Sequence, residues 1–75
     1  MYGYIYKTTN LLNNKVYIGQ RKGGFRPTYF GSGIMVGRAL SKYGRNNFAV
    51  IALGYAHSRR TLDSLEKYYI KVYRD

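Results

Sequence analysis

Four side chains in this sequence could between them hydrolyse a phosphodiester: the phenols of Tyr6 and Tyr17, a guanidinium from Arg21 or Arg26, and the carboxylate of Glu66. The reaction needs an activated water, neutralised charge on the phosphoryl oxygens and help for the leaving 3′ oxygen. An arginine donates planar, paired hydrogen bonds to a phosphate and stabilises the charge of the pentacovalent state. A phenol, with a reference pKa of ~10, is a poor base at neutral pH unless nearby positive charge lowers it. Lys7, Arg21 or a bound metal could supply that field. Each residue also has a plainer reading. Tyrosine is a favoured strand residue that packs with its hydroxyl wet. An arginine can make sequence-independent contacts to a nucleic-acid backbone, and Glu66 can pair with Arg59, Lys67 or Arg38.

The elements that must position these groups can be read from period and punctuation. Residues 2–9 alternate Tyr2, Tyr4, Tyr6 and Thr8 on one face with Gly3, Ile5 and Lys7 on the other, which predicts a strand. Asn13-Asn14 suits a two-residue turn, and residues 15–20 return as a second strand. With that turn Asn10 faces Tyr17 and Tyr6 faces Arg21, so Tyr4, Tyr6, Tyr17 and Arg21 share one face. Residues 21–33 carry four of the nine glycines and the only proline, and read as an irregular loop. Ser32 caps a helix over 33–43 that ends at Gly44, with Val36, Leu40 and Tyr43 as its apolar stripe and Gly37 marking a close approach. Gly31 and Gly33 serve the loop geometry at the start of this helix. Phe48 to Leu53 predicts a third, buried strand. Ser58 opens a second helix whose core side is Leu62, Leu65, Tyr69, Val72 and Tyr73. Glu66 flanks that stripe, where a carboxylate must be paired, hydrated or metal-bound. His57, isolated before this helix, reads as a loop or capping residue.

Composition narrows the classes. Seventy-five residues allow one domain with a modest core. A 45% apolar content with ten tyrosines is too hydrophobic for a disordered basic tail. There is no cysteine, hence no disulfide framework and no thiolate metal site, a pattern compatible with the cytoplasm. One histidine and three acids leave little for zinc or calcium, whereas Mg²⁺ needs as few as one carboxylate. The longest apolar runs are far too short for a membrane span. Thirteen Lys and Arg against three acids give a net charge of +10, which points to a polyanion. Lys7, Lys22, Arg26, Arg38 and Lys42 are the candidate nucleic-acid contacts, with structural RNA as the other polyanion.

In order and spacing, the motifs resemble the GIY-YIG nuclease domain, nearest to phage and intron-encoded homing endonucleases. The resemblance rests on Tyr4-Ile5-Tyr6, Tyr17-Ile18-Gly19, Phe30-Gly31-Ser32-Gly33, Lys42-Tyr43-Gly44 with Asn47-Phe48, and Leu65-Glu66-Lys67-Tyr68-Tyr69-Ile70. It covers essentially the whole chain. It implies an α+β fold, a small three-stranded antiparallel sheet flanked by helices, as a single domain over 1–75 cut short at its C-terminal side. It implies Tyr6 as general base, Tyr17 orienting the water or the phosphate, and Glu66 as sole protein ligand of Mg²⁺, with Mn²⁺ as a substitute. The products would be 5′-phosphate and 3′-hydroxyl ends on DNA. It also implies a cytoplasmic setting in a bacterial or phage-infected host cell, no membrane partner, no small-molecule cofactor, and a DNA-binding module appended after the domain. The chain departs from the family pattern at Tyr4, which replaces the first glycine, and at Arg21, where short-loop relatives carry histidine. The cationic role is left between Arg21 and Arg26. A degenerate nucleic-acid-binding module with the same fold is the competing reading.

Overall fold

The computed structural model describes residues 1–74; the last residue of the predicted domain, Asp75, lies outside them. Strand β1 runs Gly3–Asn10, β2 Val16–Lys22, helix α1 Ile34–Tyr43, a 3₁₀ turn Arg45–Asn47, strand β3 Phe48–Ala56 and helix α2 Arg59–Arg74. The strands form one antiparallel sheet in the order β2-β1-β3, so the predicted α+β architecture is the observed one. Among the described residues no helix is long and apolar enough to cross a membrane.

β1 is the buried centre of the sheet, while β3 is an edge strand that alternates exposed and covered residues. The expectation of a buried third strand is corrected accordingly: β1 takes the position with a neighbour on each side, and β3 runs three residues past Leu53 to Ala56. Tyr2 precedes β1 and packs against the cluster under α2 rather than extending the Tyr4–Tyr6 row.

The hairpin differs from the predicted one in its turn. Asn10 and Lys15 close it, Asn14 alone has positive φ at 63°, and Tyr6 pairs with Gly19, Thr8 with Tyr17 and Tyr4 with Arg21. The cause is local. The Asn10 side chain accepts from the Leu12 amide at 2.9 Å and that of Asn13 from the Lys15 amide at 2.9 Å, which holds a wider loop over 11–14. The register moves by two residues, and because side chains alternate with period two, no residue changes face.

Each face of the sheet has its own cover. Under α2, Ile5, Ala56 and Leu62 form the fully buried core, with Ile18, Leu53, Leu65 and Tyr69 packed around them. Val72 and Tyr73, predicted on that core side, are exposed at the end of the helix. Ser58 caps α2 as expected, its hydroxyl accepting from the Thr61 amide at 3.2 Å. The opposite face is covered by the 23–33 loop and α1. Thr8 donates to the Phe30 carbonyl at 2.7 Å, Phe25 stacks edge-on against Tyr4, and Val36 and Ala39 are buried. α1 begins one residue later than predicted, with Gly33 at the cap and no side-chain capping bond, so Ser32 does not cap it. Gly37 faces open space, with no close approach. Gly44 ends α1 as expected, its amide bonded to the Leu40 carbonyl. Asn47 then donates to the Tyr43 carbonyl at 2.6 Å and accepts from the Leu11 amide at 2.8 Å, fastening the end of α1 to the hairpin loop.

Candidate active site

Tyr17, Gly19 and Arg21 share one face of β2, successive positions about 7 Å apart along the strand, and the side chains of Tyr17 and Arg21 project from it. Tyr6 projects from the same face of β1 and is paired with Gly19. Its phenol lies across Gly19, so that a Cβ there would overlap the Tyr6 hydroxyl and ring. Glycine at this position is the opening through which the central strand's tyrosine reaches the sheet edge. The Tyr6 hydroxyl thereby sits between Tyr17 on one side and Arg21 on the other. Gly31 closes over it from the loop, at φ 127°, a backbone conformation that residues with a Cβ rarely adopt. Tyr29 packs edge-on against the Tyr6 ring at 5.5 Å between centroids, and the Arg21 guanidinium lies 4.8 Å from the Tyr29 ring centroid.

Glu66 approaches the same strand from the other face. Gln20 alternates away from Tyr17 and Arg21, and its Nε2 donates to Glu66 Oε1 at 2.8 Å and to Asp63 Oδ1 at 2.9 Å. One amide group thus holds two carboxylates, three residues apart on α2, beside β2. Asp63 also faces Arg59 at 3.9 Å in an exposed pair. Glu66 makes no ion pair among the described residues, so the plain reading as a partner for Arg59, Lys67 or Arg38 does not describe it. Sequence reading missed both Gln20 and Asp63. The signals available were the period-two alternation that turns Gln20 toward α2 and the three-residue spacing of the two acids.

The electrostatics of Tyr6 oppose ready ionisation. Its pKa is pushed up to about 12, first by burial and then by the Tyr29 phenol, the Glu66 carboxylate and the Tyr4 phenol. The field expected from Lys7 is absent for a geometric reason. Lys7 alternates to the α2 face, where its ammonium lies 4.8 Å from the Tyr73 ring centroid. Lys22 is on that face as well, 5.5 Å from the Tyr2 ring centroid. Arg26 is exposed on the loop above Tyr4, its backbone amide donating to the Tyr4 hydroxyl at 3.3 Å. Arg38 and Lys42 are exposed on α1. The structure therefore gathers Tyr6, Tyr17, Arg21 and Arg26 on one side of the sheet, with Arg38 and Lys42 on the helix that covers that side. Glu66 reaches β2 from the opposite side, and Lys7 and Lys22 are turned away.

Among the described residues no group of three or more His, Cys, Asp or Glu side chains could hold a metal ion. The donor set that exists is the pair Glu66 and Asp63, each with one oxygen engaged by Gln20. That set fits Mg²⁺, which keeps several waters and takes one or two carboxylates, and does not fit a closed zinc or calcium cage.

Comparison with known proteins gives the chain its class: over most of its length it is similar to part of several phage proteins named as endonucleases. Endonuclease segA of Enterobacteria phage T4 is 33% identical over 72 residues, 95% of this chain and 33% of segA. Two further proteins of that phage carry the same designation provisionally. One, segB, is 40% identical over 68 residues, 89% of this chain and 31% of its own length. The other, segE, is 46% identical over 50 residues, 65% of this chain and 24% of its own length. The chain thus spans about a quarter to a third of these curated relatives. No protein-family model matches it, and no solved structure does.

Proposed function

We propose that the chain is the catalytic domain of a Mg²⁺-dependent DNA endonuclease of the GIY-YIG type, hydrolysing phosphodiesters to 5′-phosphate and 3′-hydroxyl ends. The observation that carries this reading is the threading of the Tyr6 phenol over Gly19, between Tyr17 and Arg21, on the strand whose Gln20 holds Glu66. The similarity to phage T4 proteins named as endonucleases supports it, as does the net charge of +10.

In this reading Tyr6 first gives its hydroxyl proton to solvent and, as the phenolate, takes the proton of the attacking water, while Tyr17 orients the water or the scissile phosphate. Arg21, with Arg26 above it, binds the phosphoryl oxygens and stabilises their charge in the transition state. Glu66 would hold the Mg²⁺ or Mn²⁺, with Asp63 beside it as a second donor. When bound, the ion supplies polarisation of the leaving 3′ oxygen. Arg38 and Lys42 extend the phosphate-binding surface, and Lys7 and Lys22 contact DNA only if it wraps past the sheet edge. The setting is the cell interior of a phage-infected bacterium, and further DNA-binding segments belong to the longer proteins in which such domains occur.

One observation favours a second reading. A Tyr6 pKa of about 12 is the reverse of what a base at neutral pH requires, and it suits a degenerate nucleic-acid-binding module. Plasmid nicking separates the two, with wild type, Glu66→Ala and Tyr6→Phe assayed in Mg²⁺ and in EDTA. Metal-dependent nicking that falls steeply in both variants supports the nuclease. A folded wild type that binds DNA without nicking it, with binding unchanged in the variants, supports the module.

A further inference from the structure

The cleft beside Tyr6 has an apolar wall for which hydrolysis has no use. Tyr6, Tyr17, Phe30, Ile34, Met35 and Val36 line a space of about 280 Å³. Ile34 and Met35, at the first turn of α1, stand on its lip 74% and 60% exposed. Adjacent large apolar side chains left in water beside a cleft and rimmed by polar groups mark an interaction site.

The rim says which partner fits. The Lys15 ammonium lies 5.8 Å from the Tyr17 ring centroid, and the Arg45 guanidinium 5.0 Å from that of Phe30. Arg38 is the helical neighbour of Ile34 one turn on. The two acids among the described residues, Asp63 and Glu66, are both on α2 across the sheet. An aromatic and aliphatic floor with three cations beside its lining residues suits a flat apolar ring carried on a polyanion. A base stacks on such a floor while the phosphates on either side of it meet the cations. An apolar protein segment seated there would instead take Lys15, Arg38 and Arg45 out of water without a counter-charge. The volume lies just below the ~300–1,000 Å³ of pockets for drug-sized ligands, which suits a single base.

We propose that this cleft is a nucleobase subsite. It takes one unstacked base next to the phosphate at Tyr6, and Ile34 and Met35 wedge that base away from its neighbour, as apolar side chains do at kinked base steps. The proposal rests on the nuclease reading of the same site and adds to it that the enzyme engages DNA with a base out of the stack.

The test compares two single strands of equal length and charge: oligothymidylate, and an abasic strand of the same backbone. Binding is followed by fluorescence anisotropy in EDTA, so that no cleavage is needed. Wild type is expected to bind the oligothymidylate about tenfold more tightly, within the range for one stacked base. Ile34→Ser/Met35→Ser is expected to bring the two strands to equal affinity with an unchanged salt dependence, because no charge is removed. Equal affinity of wild type for both strands would overturn the proposal. So would a base preference that survives in the double variant, or a double variant that binds DNA as wild type does but has lost self-association. Both replaced side chains are exposed, so the fold is expected to stand; should it not, the wild-type comparison decides alone. A wild type that prefers oligothymidylate but never nicks a plasmid would sink the nuclease and keep the base subsite. A wild type that nicks and shows no preference would do the reverse.

Discussion

Replacing Gly19 by alanine tests whether Tyr6 acts from the position in which it is held. A Cβ at Gly19 would lie 2.5 Å from Tyr6 Cζ, about 1 Å inside the optimal separation of carbon atoms. The backbone of β2 is fixed by its ladder to β1, so relief must come from the ring. The ring has little room, being 7% exposed, packed edge-on by Tyr29 and closed in by Gly31. Overpacking of this kind costs about 1–3 kcal/mol of stability, which a domain of this size can survive. Misplacing a catalytic group by about 1 Å costs on the order of 10²-fold in rate. Gly19→Ala is therefore expected to remain folded at low temperature, to lower Tm, and to reduce Mg²⁺-dependent nicking about a hundredfold. The double variant Gly19→Ala/Tyr6→Phe is expected to nick no more slowly than Tyr6→Phe, because both changes disable one group. The reasoning is refuted if Gly19→Ala nicks at the wild-type rate, or if the two substitutions multiply in the double variant.

Three other expectations follow from the same geometry. Leu62→Ala, which empties the one fully buried leucine under α2, should cost about 2–5 kcal/mol by denaturant unfolding. A loss below 1 kcal/mol would mean that the α2 face is not the main core. Gln20→Leu should leave DNA binding intact but raise the Mg²⁺ concentration needed for half-maximal nicking, because Glu66 and Asp63 lose their shared donor; an unchanged requirement would remove Gln20 from the site. Tyr6 is neutral below its pKa, and folding raises that pKa from 10.0 to about 12. Its contribution is thus fully present below about pH 10 and is lost as the pH rises through 12, on the order of 2–3 kcal/mol in all. Unfolding measured against pH should show that alkaline loss in wild type and not in Tyr6→Phe, and matching curves would contradict the burial of the phenol.

The parts of this arrangement that were legible in the sequence are those governed by period. Alternation put Tyr4, Tyr6, Tyr17 and Arg21 on one face, and they remain there although the hairpin register is two residues from the predicted one. The same alternation had already set Lys7 on the other face from Tyr6, which argues against Lys7 lowering the phenol's pKa, as the structure bears out. What period cannot supply is the width of a loop or the height at which a helix crosses a sheet. The hairpin turn was set by the Asn10 and Asn13 side chains capturing backbone amides, a choice that Asn13-Asn14 alone does not decide. The link from Gln20 to Asp63 and Glu66 depends on where α2 crosses β2, and no local pattern encodes that distance.

That link explains why the candidate site sits on an outer strand. In the order β2-β1-β3, β2 has a free edge, and a side chain from the central strand can reach solvent there by lying across it. Such a crossing needs a residue without a side chain on the near face, and Gly19 provides it. On the far face the next residue, Gln20, fixes the carboxylates. Two consecutive residues of β2 therefore set the positions of groups that come from β1 and from α2. Had β2 been the central strand, the phenol would have ended against a third strand and the acids behind it. Tyr17-Ile18-Gly19-Gln20-Arg21 thus works as a two-sided gauge: its odd positions frame the phenol, and its even positions anchor α2 through Ile18 in the core and Gln20 on the acids. A one-residue insertion between Tyr17 and Gly19 would put the glycine on the wrong face and separate the two halves of the site without removing any residue from it.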